Sequence, residues 1–275
     1  MKLSDMREIL TRERIQLTKS LGQNFLHDAN QLRRIVDAAE VGRADKVLEV
    51  GPGMGPLTEL LVERAGHVLA IEKDLRLVRI LENRIEAERL RLVHDDALEF
   101  LRREPHDWSD WKLVANLPYS VASPILIELA RGEQSPRAMT VTLQWEVARR
   151  LMATAGDKDY GVLTLLVQVD FEPCETFKIP RGCFFPEPDV DSACVTLRRR
   201  EKPLVSAAHR QNFVRLVKRA FSQRRKMMLK LLKQDWPAAV LEAAYRDLDL
   251  APSVRAEAVP LDKLAALACG LRGRI

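Results

Sequence analysis

With 275 residues, 47% hydrophobic and 30% charged, and a formal net charge of +5, the chain is long enough for two domains and too apolar to be disordered or fibrous. Its N-terminus, MKLSDMREILTRERIQ, is charged throughout and lacks a signal-peptide core, and no apolar run approaches the ~18 residues of a membrane-spanning helix. Cys174, Cys183, Cys194 and Cys269 form neither a CxxC pair nor a CxH spacing, which argues against zinc and disulfides and points to a soluble protein of the reducing cytoplasm.

A helical N-terminal segment leads to KSLGQNFL, and Asp28 with Gln31 three residues on reads as a capping box opening a helix to about Val41. From Lys46 short apolar runs alternate with helical patterns. KVLEV, HVLAIE, LRLVH, KLVAN and MTVTLQ read as five strands, with helices at Leu57–Arg64 and Leu75–Glu88 among those between them. YGVLTLLVQVDF and SACVTLRRR read as two more, joined by the proline-punctuated loop FKIPRGCFFPEPDVD and forming an antiparallel hairpin at the sheet edge. Alternation of this kind implies βαβ units and a parallel sheet. After about Pro203 the pattern is purely helical. The expected architecture is therefore a seven-stranded α/β domain over residues 1–200 and a small helical domain over 201–275.

Gly51-Pro52-Gly53-Met54-Gly55 follows the first strand and precedes a helix, where glycines let a ligand approach the backbone beyond the strands' carboxyl ends. A dinucleotide fingerprint would need a further glycine at Pro56 or Thr58, so nicotinamide and flavin cofactors are disfavoured. The GxGxG spacing suits S-adenosylmethionine instead. Glu72 ends the second strand, placed to accept both ribose hydroxyls of such a cofactor. Asp96 follows the third strand and is placed to accept from the adenine amine, although Asp95 beside it fits that role or the helix cap equally well.

Asn116-Leu117-Pro118-Tyr119 stands after the fourth strand and is the sharpest feature of the chain. An exocyclic adenine amine is a poor nucleophile because its lone pair is delocalised into the ring. Accepting its two N–H groups on the Asn116 side chain and the Leu117 carbonyl turns that lone pair outward, toward a methylsulfonium. Pro118 locks the backbone, and Tyr119 offers a ring face for the base, worth ~1–3 kcal/mol. No strong base is needed, because the amine proton becomes acidic only after transfer; catalysis is positioning and electrostatics.

GQNFL (22–26), EVGPGMG (49–55), Asn116–Tyr119 and FFPEPDVDS (184–192), together and in this order, resemble the bacterial RsmA/KsgA family of small-subunit rRNA adenine N6-dimethyltransferases. The resemblance continues through FSQRRKMMLKLL and VRAEAVPLDKLAAL. It implies a Rossmann-like methyltransferase fold, S-adenosylmethionine as methyl donor, and two adjacent adenosines near the 3′ end of 16S rRNA as substrate. It places Asn24 and Leu26 at the cofactor with Gly51, Gly53, Glu72, Asp96 and Asn116, and makes Phe184 the aromatic that sandwiches the target base opposite Tyr119.

Residues 201–275 carry 15 basic and 7 acidic residues, against 29 and 32 in the remainder. Between Glu201 and Asp235 ten basic residues occur with no acid, including Arg224, Arg225 and Lys226. Such a face has no acid of its own to pair with and matches a polyanion footprint. Taken with the family resemblance, which implies the substrate, the expected partner is 16S rRNA in the 30S subunit or its precursor, bound by a monomer. Two readings compete: the related 23S rRNA dimethyltransferases of macrolide resistance, and a non-catalytic ribosome assembly factor on the same fold. A DNA methyltransferase would more often show a second proline where Leu117 stands.

Overall fold

The computed structural model describes residues 1–17, 23–86, 88–103, 106–132 and 134–271; Gly22 of the GQNFL motif lies outside them. Helix α1 (Leu3–Arg12) buries Met6, Ile9 and Leu10, and strand β1 (Phe25–Leu26) precedes helix α2 (Ala29–Ala38). The Asp28 carboxylate caps α2, accepting from the Asn30 and Gln31 amides at 3.0 and 2.9 Å. The second half of the expected box does not form. Gln31 Oε1 is buried without a partner, and α2 stops at Ala38.

The expected alternation then follows: β2 (Lys46–Val50), α3 (Pro56–Arg64), β3 (His67–Glu72), α4 (Leu75–Arg84), β4 (Leu90–His94), α5 (Ala97–Arg103), β5 (Trp111–Asn116), α6 (Ala122–Leu129), β6 (Ala138–Gln144) and α7 (Trp145–Met152). Helix α8 (Val162–Gln168) corrects the reading of YGVLTLLVQVDF as a strand. That run is apolar on all sides, so its periodicity does not separate a buried helix from a buried strand. Its two polar interruptions decide the matter: Thr164 Oγ1 donates to the Arg150 carbonyl at 2.6 Å, and Gln168 Nε2 donates to Leu151 and Ala153 carbonyls at 2.7 and 3.1 Å.

The sixth strand is instead β7 (Phe171–Ile179), whose Pro173, Glu172, Glu175 and Lys178 belong to an edge position. After it come β8 (Phe184–Phe185) and β9 (Ser192–Arg199). Among the described residues the large sheet has seven strands in the order β4-β3-β2-β5-β6-β9-β7. Pairings from β4 through β6 are parallel, and β9 runs antiparallel to β6. A separate antiparallel pair joins Phe25 to Phe185 and Leu26 to Phe184, which brings those two distant motifs together in space. Leu32, Ile35 and Val36 of α2 and Leu57 and Leu61 of α3 pack with Val47, Val68 and Val114 of the sheet.

Helices α9 (Ala207–Ala220), α10 (Met228–Leu232), α11 (Ala238–Asp247) and α12 (Leu261–Gly270) complete the chain. Two units emerge: Met1–Ala148 with Pro173–Arg199, and Arg149–Glu172 with Arg200–Ile275. The boundary expected near Arg200 is one of three, because the α8 segment groups with the C-terminal helices. Asp170 forms a buried ion pair with Arg210, and the Arg200 and Leu204 amides donate to the Asp170 and Val169 carbonyls at 2.7 and 3.2 Å. Phe213, Leu216, Val217, Leu264 and Leu267 are fully buried in this second unit. No helix among the described residues is long and apolar enough to cross a membrane.

Candidate active site

The strand order reverses at β2, whose sequence successor β3 lies on one side and β5 on the other. Strands β2 and β5 pair from Lys46–Trp111 to Leu48–Leu113, so Glu49-Val50 and Val114–Asn116 lie beyond the pairing. A crevice at this position is where open α/β sheets take their ligands. A cavity of about 260 Å³ opens there, lined among others by Gly51, Gly53, Glu72, Asp96, Asn116 and Pro118.

Two glycines set its floor. Gly51 has φ +69°, and a Cβ there would lie 2.9 Å from Pro118 Cγ. Gly53 has φ +63°, and its Cβ would fall 2.7 Å from the Phe25 ring. Both positions therefore require glycine on conformation and on space. The turn in turn fixes Glu72. That carboxylate, 7% exposed, accepts from the Gly53 amide at 3.1 Å and the Asp74 amide at 2.9 Å. Burial raises its pKa, and the amide bonds offset part of the rise.

Asp95 and Asp96 are separated by their bonds. Asp96 Oδ1 accepts from the Leu98 and Glu99 amides at 2.9 and 3.2 Å and so caps α5, while Oδ2 pairs with Lys73 at 2.8 Å. The Lys73 ammonium holds its carboxyl below the usual range. Asp95 accepts from the Asp96 amide at 2.8 Å and pairs with Arg103. Both aspartates line the cavity.

Asn116 ends β5. Its Nδ2 donates to the Asn24 carbonyl at 2.9 Å, which fixes the amide's orientation and leaves Oδ1 buried with no hydrogen-bond partner. The Leu117 amide donates to the Thr142 carbonyl at 3.0 Å, and the Val121 amide to the Pro118 carbonyl at 3.1 Å, so the backbone of this turn is held on both sides. Tyr119 points away from the cavity into an adjoining cleft of about 1050 Å³, its hydroxyl 2.6 Å from Ser192 Oγ.

Two expected residues do not reach either space. Leu26 and Phe184, each 2% exposed, face one another across the β1–β8 pair and pack into the core with Leu32, Ile35 and Phe177. Phe184 therefore presents no ring face opposite Tyr119. Sequence reasoning also passed over three groups. Gln23 borders both cavity and cleft and donates to Asp74 at 3.1 Å; its place inside GQNFL was the available signal. Phe25 fills the space beside Gly53, a contact with no local sequence signature. Glu49 is 1% exposed, with Oε2 unpartnered, and burial pushes its carboxyl up to about 8, helped by the nearby charge of Glu72.

The basic stretch is less uniform than it reads. Arg224 donates to Glu257 at 3.2 Å and to the Lys158 carbonyl at 2.8 Å. Arg210 pairs with Asp170, Arg215 and Arg219 with Asp235, and Lys233 with Glu242. The expectation that this face lacks acids fails because those acids come from outside the 202–234 stretch. Among the described residues, Lys202, Lys218, Arg225, Lys226 and Lys230 have no ion pair, and the last three surround a hollow of about 370 Å³ floored by Met227 and Leu231.

Residues 14–268 match the family model described as ribosomal RNA adenine dimethylase. A "Ribosomal RNA small subunit methyltransferase A" from Clostridium perfringens is 38% identical over 97% of this chain and 96% of its own. One of the same name from Geobacillus thermodenitrificans is 40% identical over 96% and 94%. The crystal structure of the 23S rRNA methyltransferase ErmE matches with TM-score 0.69 and 30% identity over 90% of this chain and 99% of its own. A dimethyladenosine transferase from Plasmodium falciparum, 24% identical, shares the fold with TM-score 0.75 over 88% and 95%. With the GxGxG turn, Asn116–Tyr119 and the reversal at β2 all in one crevice, and the family model spanning nearly its whole length, this chain belongs to the ribosomal RNA adenine dimethylase family.

Proposed function

We propose that this protein dimethylates the N6 amines of two adjacent adenosines near the 3′ end of 16S rRNA, with S-adenosylmethionine as methyl donor. The observation that carries the reading is the Asn116 amide: one end is tied to Asn24, and the other presents a buried oxygen with no partner at the strand ends. A buried polar atom without a partner is costly, and a ligand N–H relieves that cost.

The residues lining the cavity fit the proposed donor. Gly51 and Gly53 bring backbone within ligand reach where any side chain would collide with Pro118 or Phe25. Glu72 is held rigidly by two amides, each using one lone pair per oxygen and leaving acceptor capacity for two ribose hydroxyls. Asp96 and Asp95 stand on the cavity wall where an adenine amine would lie. When bound, S-adenosylmethionine supplies an electrophilic methyl group on a sulfonium.

The chain's own residues do the rest. Asn116 Oδ1 and the Leu117 carbonyl accept the two N–H groups of the target amine, which withdraws its lone pair from the ring. The bond from Asn116 Nδ2 to Asn24 holds the first acceptor, and the Leu117 and Val121 amide bonds hold the backbone that carries the second. Tyr119, fixed through Ser192, supports the base in the adjoining cleft. Burial raises the Tyr119 phenol's pKa and so keeps it neutral, a stacking surface rather than a base. The amine proton, acidic only after transfer, passes to solvent through the open cleft. Arg225, Lys226 and Lys230 supply phosphate contacts for the RNA in the second unit, and residues 201–275 serve as the RNA-recognition region of a cytoplasmic monomer.

Tritiated-methyl transfer into 30S particles, 50S particles and duplex DNA tests the reading. Label confined to N6-dimethyladenosine of 16S rRNA is the expected result. Label in 23S rRNA alone would assign the chain to the macrolide-resistance type, and no label on any substrate would leave only an assembly role.

A further inference from the structure

The cleft that holds Tyr119 holds a second ring. Trp145 stands immediately beyond β6, which neighbours β5 in the sheet. Asn116 pairs with Thr142, so Tyr119 and Trp145 each lie three residues past the same register position on strands about 4.8 Å apart. Trp145 is half-buried; its amide donates to the Asp191 carbonyl at 3.0 Å. Lys178 Nζ lies 6.0 Å from the ring centroid and pairs with Asp191 at 2.7 Å. An ion-paired cation thus lies over one face of the indole. Val190, 44% exposed, forms another part of the same wall.

These rings do not share one place. Asn116 borders the cavity of about 260 Å³, Trp145 borders only the cleft of about 1050 Å³, and Gln23 and Asn24 border both. A base whose amine reaches Asn116 and whose ring meets Tyr119 lies at the junction, with most of the cleft still beyond it. We propose that Trp145 stacks on the base of the nucleotide adjoining the one being methylated, and so helps to select two consecutive stacked bases as substrate. This rests on the functional reading above. An aromatic ring tolerates any base on its face, so the residue would select for the presence of a neighbouring base rather than for its identity.

The test is a double-mutant cycle between protein and RNA. The probes are hairpin RNAs carrying the adjacent adenosines, intact or abasic at the 5′ or the 3′ neighbour of the target. Trp145→Ala should weaken binding of the intact hairpin roughly tenfold, the loss of one base–ring stack, with S-adenosylmethionine affinity unchanged. One abasic hairpin should bind native protein about as weakly and bind Trp145→Ala no more weakly still. Trp145→Phe should restore most of the loss, which a misfolded variant would not allow. Additive losses at both neighbours would overturn the inference. Binding is read without turnover, so this outcome stays separate from a failure to methylate 16S rRNA, which would instead sink the functional reading.

Discussion

At the strand ends of the first unit, each polar group is held by backbone. Glu72 is clasped by two amides, Asp96 by two, and Asn116 by a carbonyl, all among buried or half-buried neighbours. Around the hollow in the second unit, Arg225, Lys226 and Lys230 hang on flexible stems with no ion pair among the described residues. The first arrangement fixes atoms to a fraction of an ångström, which chemistry at one nitrogen requires. The second offers charge without position, sufficient for phosphates and tolerant of their detail. Substitutions should accordingly cost a great deal in the first region and a little, additively, in the second.

The sharpest break of that contrast is Asn116→Ala. Removing its oxygen should lower methyl transfer by ~10²–10³, the usual cost of one preorganised polar group in a dry site. Circular dichroism and the melting temperature should stay near native, since Asn116 contributes one side-chain bond to the fold. Single-turnover rates check it; turnover within a few-fold of native would contradict the assignment.

Glu49 exposes a cost of such rigidity. Its carboxyl is raised from 4.5 to about 8 in the folded protein, so the native state keeps a proton that the unfolded chain releases. Its contribution is therefore fully present below about pH 4.5 and is lost as pH rises toward 8. Glu49→Gln cannot titrate. Between pH 5 and 8 the native protein should lose on the order of 3 kcal/mol relative to this variant. Urea midpoints at the two pH values measure the difference, and parallel profiles would show that Glu49 is ionised when folded.

Glu72→Ala comes next, because two ribose hydroxyls lose a charged acceptor worth about 1.5–3 kcal/mol. Calorimetry should show weaker S-adenosylmethionine binding with little change in RNA affinity. Unaltered affinity would reduce Glu72 to a clamp for the Gly53 turn.

How much of this was legible in the sequence follows from distance along the chain. The GxGxG turn follows a strand directly, Glu72 ends one and Asn116–Tyr119 begins at the end of another, so spacing alone places them at one end of a parallel sheet. Phe184 was not legible, because its burial comes from pairing with Leu26, 158 residues away. Nor was α8, since a nearly all-apolar run conceals its period, and its two polar residues, Thr164 and Gln168, find their partners only in the fold. The basic stretch misled for the same reason as Phe184: a gap in acids along the chain is filled in space by Asp170, Asp235, Glu242 and Glu257.

That correction yields the smallest and most discriminating prediction. Arg224, Arg225 and Lys226 are consecutive, and a count of charges treats them alike. In the structure Arg224 is engaged with Glu257 and the Lys158 carbonyl, whereas Arg225 and Lys226 border the open hollow with Lys230. A cation already paired has fewer donors left for phosphate, and its removal frees an acid that repels the backbone only weakly at physiological screening. Each unpaired cation that reaches phosphate should reduce the log–log salt slope of 30S binding by ~0.7–0.9, so Arg225→Ala/Lys226→Ala should lose about twice that. Arg224→Ala should change the slope by much less and should lower the melting temperature instead, since it unties the Lys158 segment. Binding titrations from 50 to 300 mM salt separate the two variants. Equal slopes for both would mean that the ion pair with Glu257 gives way on RNA, and that the charge count, rather than the pairing, describes this surface.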